Sequence, residues 1–170
     1  QIERAFRRPE VRVVVLRIES PGGSVLGSNL IHHALERMKR ETQAALDALP
    51  DGAEFNLIFF ESKVIPWGKQ LLKMSAENRR RSRLVLEQLV AEGNTNMSGA
   101  LSAAYADPDV ETIVLLSDGE PTTSSPEQIL SSLREWDELR GIVVHTVSLG
   151  GRPLLPLISE LTGGQATSAF

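Results

Sequence analysis

Four stretches of the chain are apolar at nearly every position: Val11–Ile18 (VRVVVLRI), Phe55–Phe60 (FNLIFF), Thr112–Ser117 (TIVLLS) and Ile142–Leu149 (IVVHTVSL). A strand covered on one face alternates apolar with polar, whereas one covered on both faces reads as an unbroken apolar run. These runs predict buried strands of a parallel sheet. Between them the period becomes helical. Leu30, Ile31, Ala34, Leu35, Met38, Ala45, Leu46 and Leu49 mark one face of a long helix that ends before Pro50-Asp51-Gly52. Ser75–Ala91 reads as a second helix, apolar at Leu84, Leu86, Leu89 and Val90, and Met97–Tyr105 as a short, alanine-rich third. Ser125-Pro126-Glu127 opens a fourth, with Pro126 suited to the first turn and Ile129, Leu130, Leu133, Trp136 and Leu139 expected to face inward. A fifth spans about Pro153–Leu161, and Ala166–Phe170 is left as a final strand.

Strands alternating with helices predict an α/β fold, a mostly parallel doubly wound sheet with helices on both faces. One connection breaks the alternation. Only Glu61 and Ser62 separate Phe55–Phe60 from Lys63–Trp67 (KVIPW), too few residues for a helical crossover, so these two strands must be antiparallel. Pro66 removes a ladder donor and places that strand at the sheet edge. With no repeat, low-complexity tract or linker, one domain is expected over residues 1–170.

Composition narrows the function. The chain has 170 residues, 41% hydrophobic and 24% charged, a globular balance. It has no cysteine, which excludes disulfides, zinc–thiolate sites and a cysteine nucleophile. Net charge is 18 − 22 = −4, with no global attraction for nucleic acid or an anionic membrane. No apolar run approaches the roughly 20 residues that span a bilayer. The first residues, QIERAFRR, have no apolar core and do not read as a signal peptide, and a start at Gln is expected of a fragment; expression in the cytoplasm and a monomer are the expectations.

In an open α/β sheet ligands bind beyond the carboxyl ends of the strands. Three loops there are unusual: Glu19-Ser-Pro-Gly-Gly-Ser24, Gly93-Asn-Thr-Asn-Met-Ser98 and Ser117-Asp-Gly-Glu-Pro-Thr122. Asp118 follows a buried run, and Thr95 stands at the mouth of a helix. A carboxylate with hydroxyls and water is hard-oxygen chemistry suited to Mg²⁺. The same residues also serve simpler ends, since Asp-Gly makes turns and Asn or Thr caps helices. Gly22 and Gly27 have P-loop spacing, but Ser28-Asn29 replaces the lysine and hydroxyl pair. His32 and His33 diverge by about 100° on a helix and cannot chelate together. His145 is expected to be a satisfied core histidine, and Arg79, Arg80, Arg81 and Arg83 a solvated basic face. Trp67 suits edge-strand packing and Trp136 a helix core.

From about Leu35 to Phe170 the chain resembles a von Willebrand factor type A domain. The stretches LDALPDGAEFNLIFFES, GNTNMSGAL, VETIVLLSDGEPT and GIVVHTVSLGG carry the likeness. It implies a three-layer fold with sheet order 3-2-1-4-5-6, strand 3 antiparallel, and a Mg²⁺ (or Mn²⁺) adhesion site built from an Asp-x-Ser-x-Ser loop, a Thr and an Asp. By position Thr95 is that Thr and Asp118 the last Asp. The first loop departs from the pattern. With Glu19 in the place of the first Asp, Pro21 and Gly23 fall where the two serines belong, and Ser20 and Ser24 lie out of register.

That loop is similar to another family. Residues 1–34, with AFRRPEVRVVVLRIESPGGSVLGSNLI, look like signal peptide peptidase A, a crotonase-like serine peptidase. The likeness implies that Gly22 and Gly23 form an oxyanion-hole turn, where glycine lets amides approach a developing oxyanion. The family's catalytic serine segment and lysine motif are missing. Together the two likenesses imply an engineered or chimeric chain joined near residues 35–41, without a complete catalytic or metal site. A non-enzymatic hybrid is the expectation. The alternative is a Mg²⁺-dependent module for a protein partner, using Glu19, Ser20, Ser24, Thr95 and Asp118.

Overall fold

The computed structural model describes residues 12–17, 25–89, 95–117, 121–148 and 153–168. Chain order is β1 (Val13–Arg17), α1 (Val25–Ala48), β2 (Glu54–Phe55), β3 (Leu57–Phe60), β4 (Val64–Pro66), β5 (Leu72–Lys73), α2 (Ala76–Glu87), α3 (Met97–Tyr105), β6 (Thr112–Ser117), α4 (Pro126–Arg140), β7 (Val143–Ser148), α5 (Leu154–Leu161) and β8 (Ala166–Ser168). Six strands form one sheet in the order β4-β3-β1-β6-β7-β8. Every neighbouring pair is parallel except β3 and β4. This is the order 3-2-1-4-5-6 with strand 3 reversed. Pro66 lies on the edge strand opposite Ile58, where its missing N–H leaves no gap in the ladder.

The apolar runs are continuous because both faces of the sheet are covered. Ile113 and Leu115 pack with α3, α4 and α5 through Leu101, Leu133 and Leu155. Val114 and Leu116 pack on the other side with α1 and α2, through Met38, Leu46 and Leu86. Side-chain caps and a glycine close the ends of α2 and α4. The Ser75 hydroxyl accepts from the Asn78 amide at the start of α2, and Ser125 and Gln128 form a reciprocal capping box on α4. Gly141 ends α4 at φ +58°, a left-handed conformation that side chains resist.

Several sequence expectations change. A second, two-stranded ribbon pairs Glu54–Phe55 with Leu72–Lys73 beside the main sheet. Leu84, 49% exposed, does not share the inward face of α2. It lies about 200° round the helix from buried Leu86, so the two cannot both face α1. Leu139, expected inside, is 91% exposed. Ile129 and Leu133 are buried, but Leu139 has turned about 120° from Leu133 and leaves the core.

The basic run on α2 is not a uniform solvated face either. Arg79 turns back to α1, donating to the carbonyl of Leu46 at 2.6 Å and to those of Leu49 and Asp51's carboxylate. Arg81 lies over the Trp67 ring at 5.5 Å, and Arg83 pairs with Asp47 at 3.3 Å. His145 is buried as expected, its Nδ1 accepting from the Gln165 amide at 3.0 Å.

Candidate functional site

The carboxyl ends of β3, β1 and β6 form one edge of the molecule. Arg17, the last residue of β1, is registered beside Phe60, the last of β3. On its other side β1 pairs with β6 through Leu16 and Leu116, one step short of Ser117. Chain leaving these three strands therefore departs from adjacent positions, the switch point at which open α/β sheets bind ligands.

The segment entering α3 is fastened to two of these exits. The Asn96 amide donates to the Glu61 carbonyl, just past β3, at 2.8 Å. The Thr95 amide donates to Thr122 Oγ1 at 2.6 Å, and the Thr122 amide returns to the Thr95 carbonyl at 3.2 Å. The Thr123 hydroxyl donates to the same carbonyl at 3.1 Å. Thr95 is wholly buried as a result. Asn96 caps α3, its Oδ1 accepting from the Gly99 amide at 3.0 Å. Thr95 is thus both a buried hydroxyl residue and part of a helix-entry motif, and the two readings of that segment are compatible.

Two further groups shape this edge. Ser117 and Ser148, both buried, are registered side by side at the ends of β6 and β7. The Glu61 carboxyl is held below its usual range by the Ser62 amide and then the Ser62 hydroxyl, which keeps a negative charge on the rim.

Glu19, Ser20, Gly22, Gly23, Ser24 and Asp118 lie outside the described residues. Among the described residues no group of three or more histidine, aspartate or glutamate side chains could hold a metal ion. The structure brings Thr95 to the strand ends from which the other candidates depart. Sequence reading missed the clamp from Thr122 and Thr123. The signal available was the hydroxyl-rich Pro121-Thr-Thr-Ser-Ser125, next to Asp118.

The family model for the von Willebrand factor type A domain matches residues 26–168. The chain belongs to this family. The matched span takes in residues 35–41, where a join between two families was expected. The human von Willebrand factor A domain-containing protein 3B is 26% identical over 118 residues, covering 66% of this chain and 9% of that protein. The chain spans only about a tenth of the length of the curated relatives it matches. A von Willebrand factor type A structure from Catenulispora acidiphila superposes with a TM-score of 0.76 at 21% identity, over 95% of this chain and 39% of that one. A manganese-loaded TRAP protein from Plasmodium vivax superposes at 0.58 and 16% identity, over 89% of this chain and 63% of that one. These likenesses establish the von Willebrand A fold for this chain.

Domains of this family often hold a divalent ion. Thr95 and Asp118 supply a hydroxyl and a carboxylate, hard oxygens that suit Mg²⁺ or Mn²⁺. No described helix is long and apolar enough to cross a membrane.

Proposed function

We propose that residues 1–170 form one non-enzymatic von Willebrand A domain that binds a protein partner at the carboxyl end of its sheet, without a complete metal site. The clamp between Thr95 and Thr122–Thr123 carries this reading. It fixes the α3 entry to the exit of β6 and, through Asn96, to the exit of β3, giving a rigid rim of main chain and hydroxyls. A preorganised rim costs a partner little ordering. The missing first-loop hydroxyls support contact that does not need the ion. A family match that takes in residues 35–41 supports a single origin for α1.

A second reading has one specific support: Thr95, a hydroxyl residue, is buried at the carboxyl end of the sheet and bonded to the segment that follows Asp118 in the chain. In that reading Thr95 and Asp118, with Glu19, Ser20 and Ser24, hold Mg²⁺ or Mn²⁺ and a partner carboxylate completes the shell.

A thermal melt in millimolar Mg²⁺ or Mn²⁺ against EDTA separates the two. The first reading expects no shift. A midpoint raised by roughly 5–10 °C and lost in Asp118→Ala selects the second, since ion at about 100 times its dissociation constant adds about 2.7 kcal/mol. Partner binding itself is tested by cross-linking in EDTA with Glu61→Arg on the rim. Loss of the cross-linked partner is expected; an unaffected partner would place the contact elsewhere.

A further inference from the structure

The opposite end of the molecule carries a second surface. At the amino end of the sheet, α3 and α4 run side by side into a cleft of about 420 Å³. Its apolar wall is Tyr105, Trp136 and Leu139. The rings of Tyr105 and Trp136 meet at 5.6 Å and tilt by 44°, fixing the wall. Leu139 stands beside them 91% exposed, the largest exposure among the described large apolar side chains. An isolated exposed leucine needs no explanation. One that lines the same cleft as an aromatic pair extends the apolar surface of that cleft.

Among the described residues, acidic groups outnumber basic ones around this surface. Glu135 lines the cleft and Glu138 follows it on α4. Asp107, Asp109 and Glu111 lie in the turn that leads from α3 to β6, Asp107 and Asp109 lining the neighbouring cleft. Among the described residues Arg12, Arg134 and Arg140 stand against these five carboxylates; Arg134 lies one turn before Glu138 on α4, and Arg12 and Arg140 are already engaged. Arg140 donates to the carbonyls of Tyr105, Asp107, Pro108 and Val110 at 2.7–3.2 Å, closing the end of α3. Arg12 donates to the Asp109 carbonyl at 3.1 Å and pairs with Glu111 at 3.5 Å.

We infer that this cleft is a docking site for a basic linear segment of a partner protein, with an apolar side chain seated on Tyr105, Trp136 and Leu139 and flanking arginines or lysines facing Glu135 and Glu138, the acidic Asp107–Glu111 turn adding to the field from beside the cleft. The complement follows from the two properties together. An aromatic-backed pocket selects a large apolar anchor, and a carboxylate rim rejects acidic flanks and steers basic ones. The surface is independent of the Thr95 rim, which lies at the other end of the same helices.

The test is fluorescence anisotropy with a labelled peptide carrying one phenylalanine between pairs of arginines, the control having alanine in the central place. Saturable binding is expected, weakened at least about tenfold by Leu139→Asp, by Glu135→Lys and by the alanine peptide, and weakened further by raised salt. Leu139 is too exposed for its replacement to disturb the fold, and an unchanged melting midpoint verifies that for each variant. Glu61→Arg, on the opposite rim, should leave peptide binding intact, so failure of the rim reading does not touch this one. Equal binding by the Leu139→Asp chain, or equal binding of the alanine peptide, would overturn the inference. So would sedimentation showing that the wild-type chain dimerises through Leu139, since a second copy would then be the occupant.

Discussion

Thr95 and Thr122 hold each other: the amide of each donates to an oxygen of the other, at 2.6 Å to the Thr122 hydroxyl and 3.2 Å to the Thr95 carbonyl. Only the first of these bonds uses a side chain, so Thr122→Val removes it while nearly preserving shape. A buried amide that loses its acceptor costs roughly 1–3 kcal/mol. The expected outcome is a melting midpoint lower by several degrees, with amide exchange at Thr95 and Asn96 speeding up more than in the sheet. A variant as stable as the wild type would show that the clamp does not fix this rim.

Arg79 offers a sharper case, because its guanidinium bridges the carbonyls at the end of α1 and the Asp51 carboxylate. The i+4 partner of the Leu46 carbonyl would be Pro50, which has no N–H, so this carbonyl accepts at 3.3 Å from the Leu49 amide instead, and the cation faces the negative end of the helix dipole. Arg79→Met should cost roughly 1.5–3 kcal/mol in urea unfolding. Arg79→Lys should recover only part of it, since a point charge cannot serve several acceptors in a fork. Arg80→Met, one residue on and exposed, should change stability little.

The sheet was legible because its strands are covered on both faces, and burial writes unbroken apolar runs such as Thr112–Ser117 directly into the chain. The reversed edge strand was legible from Pro66 and the short Glu61-Ser62 link. The ribbon of Glu54–Phe55 with Leu72–Lys73 was not, because two-residue strands are too short to show a period. Leu84 and Leu139 were not legible from apolar character alone, because the helix angle turns each away from its buried neighbour, Leu86 or Leu133. Arg79 looked like its neighbours because a run of like residues hides which one reaches inward. Thr95 could be singled out from its place before a helix. For its partners the hydroxyl-rich Pro121–Ser125 was the one sign, and it did not show the pairing, since Thr122 is 27 residues away and only the fold brings them together.

Tyr105 is the sole tyrosine, so its ionisation can be watched directly. Burial, and then the negative charge of Asp137, push its pKa well above the usual value, and its hydroxyl donates to Asp137 at 3.4 Å. The unfolded chain ionises near pH 10. The fold favours the neutral phenol, so this contribution to stability is fully present below about pH 10 and falls as pH rises beyond it. Absorbance at 295 nm should therefore stay flat in the native protein past the point where the denatured chain titrates, then rise with unfolding. Tyr105→Phe should flatten the alkaline loss of stability. A native titration near pH 10 would show the phenol to be open to water.

The turn from α5 into β8 has two adjacent glycines with different demands. Gly163 sits at φ +71° with open space where a side chain would go, so alanine there meets only backbone strain, about 1–2 kcal/mol. Gly164 has no such dihedral constraint, but a Cβ would lie 2.0 Å from the Val144 carbonyl oxygen and 2.5 Å from its carbon. Main chain of a central strand cannot yield as a flexible side chain does. The Gly164 amide also donates to the Ser159 carbonyl at 2.7 Å, so moving the turn away breaks the closure of α5. Overpacking of this kind typically costs about 1–3 kcal/mol and more where backbone must shift. Gly164→Ala should thus lower the midpoint further than Gly163→Ala, with exchange protection lost first in β8 and the end of α5. The reverse order of the two variants would mean that β8 moves freely against β7, and that the sheet ends in practice at Ser148.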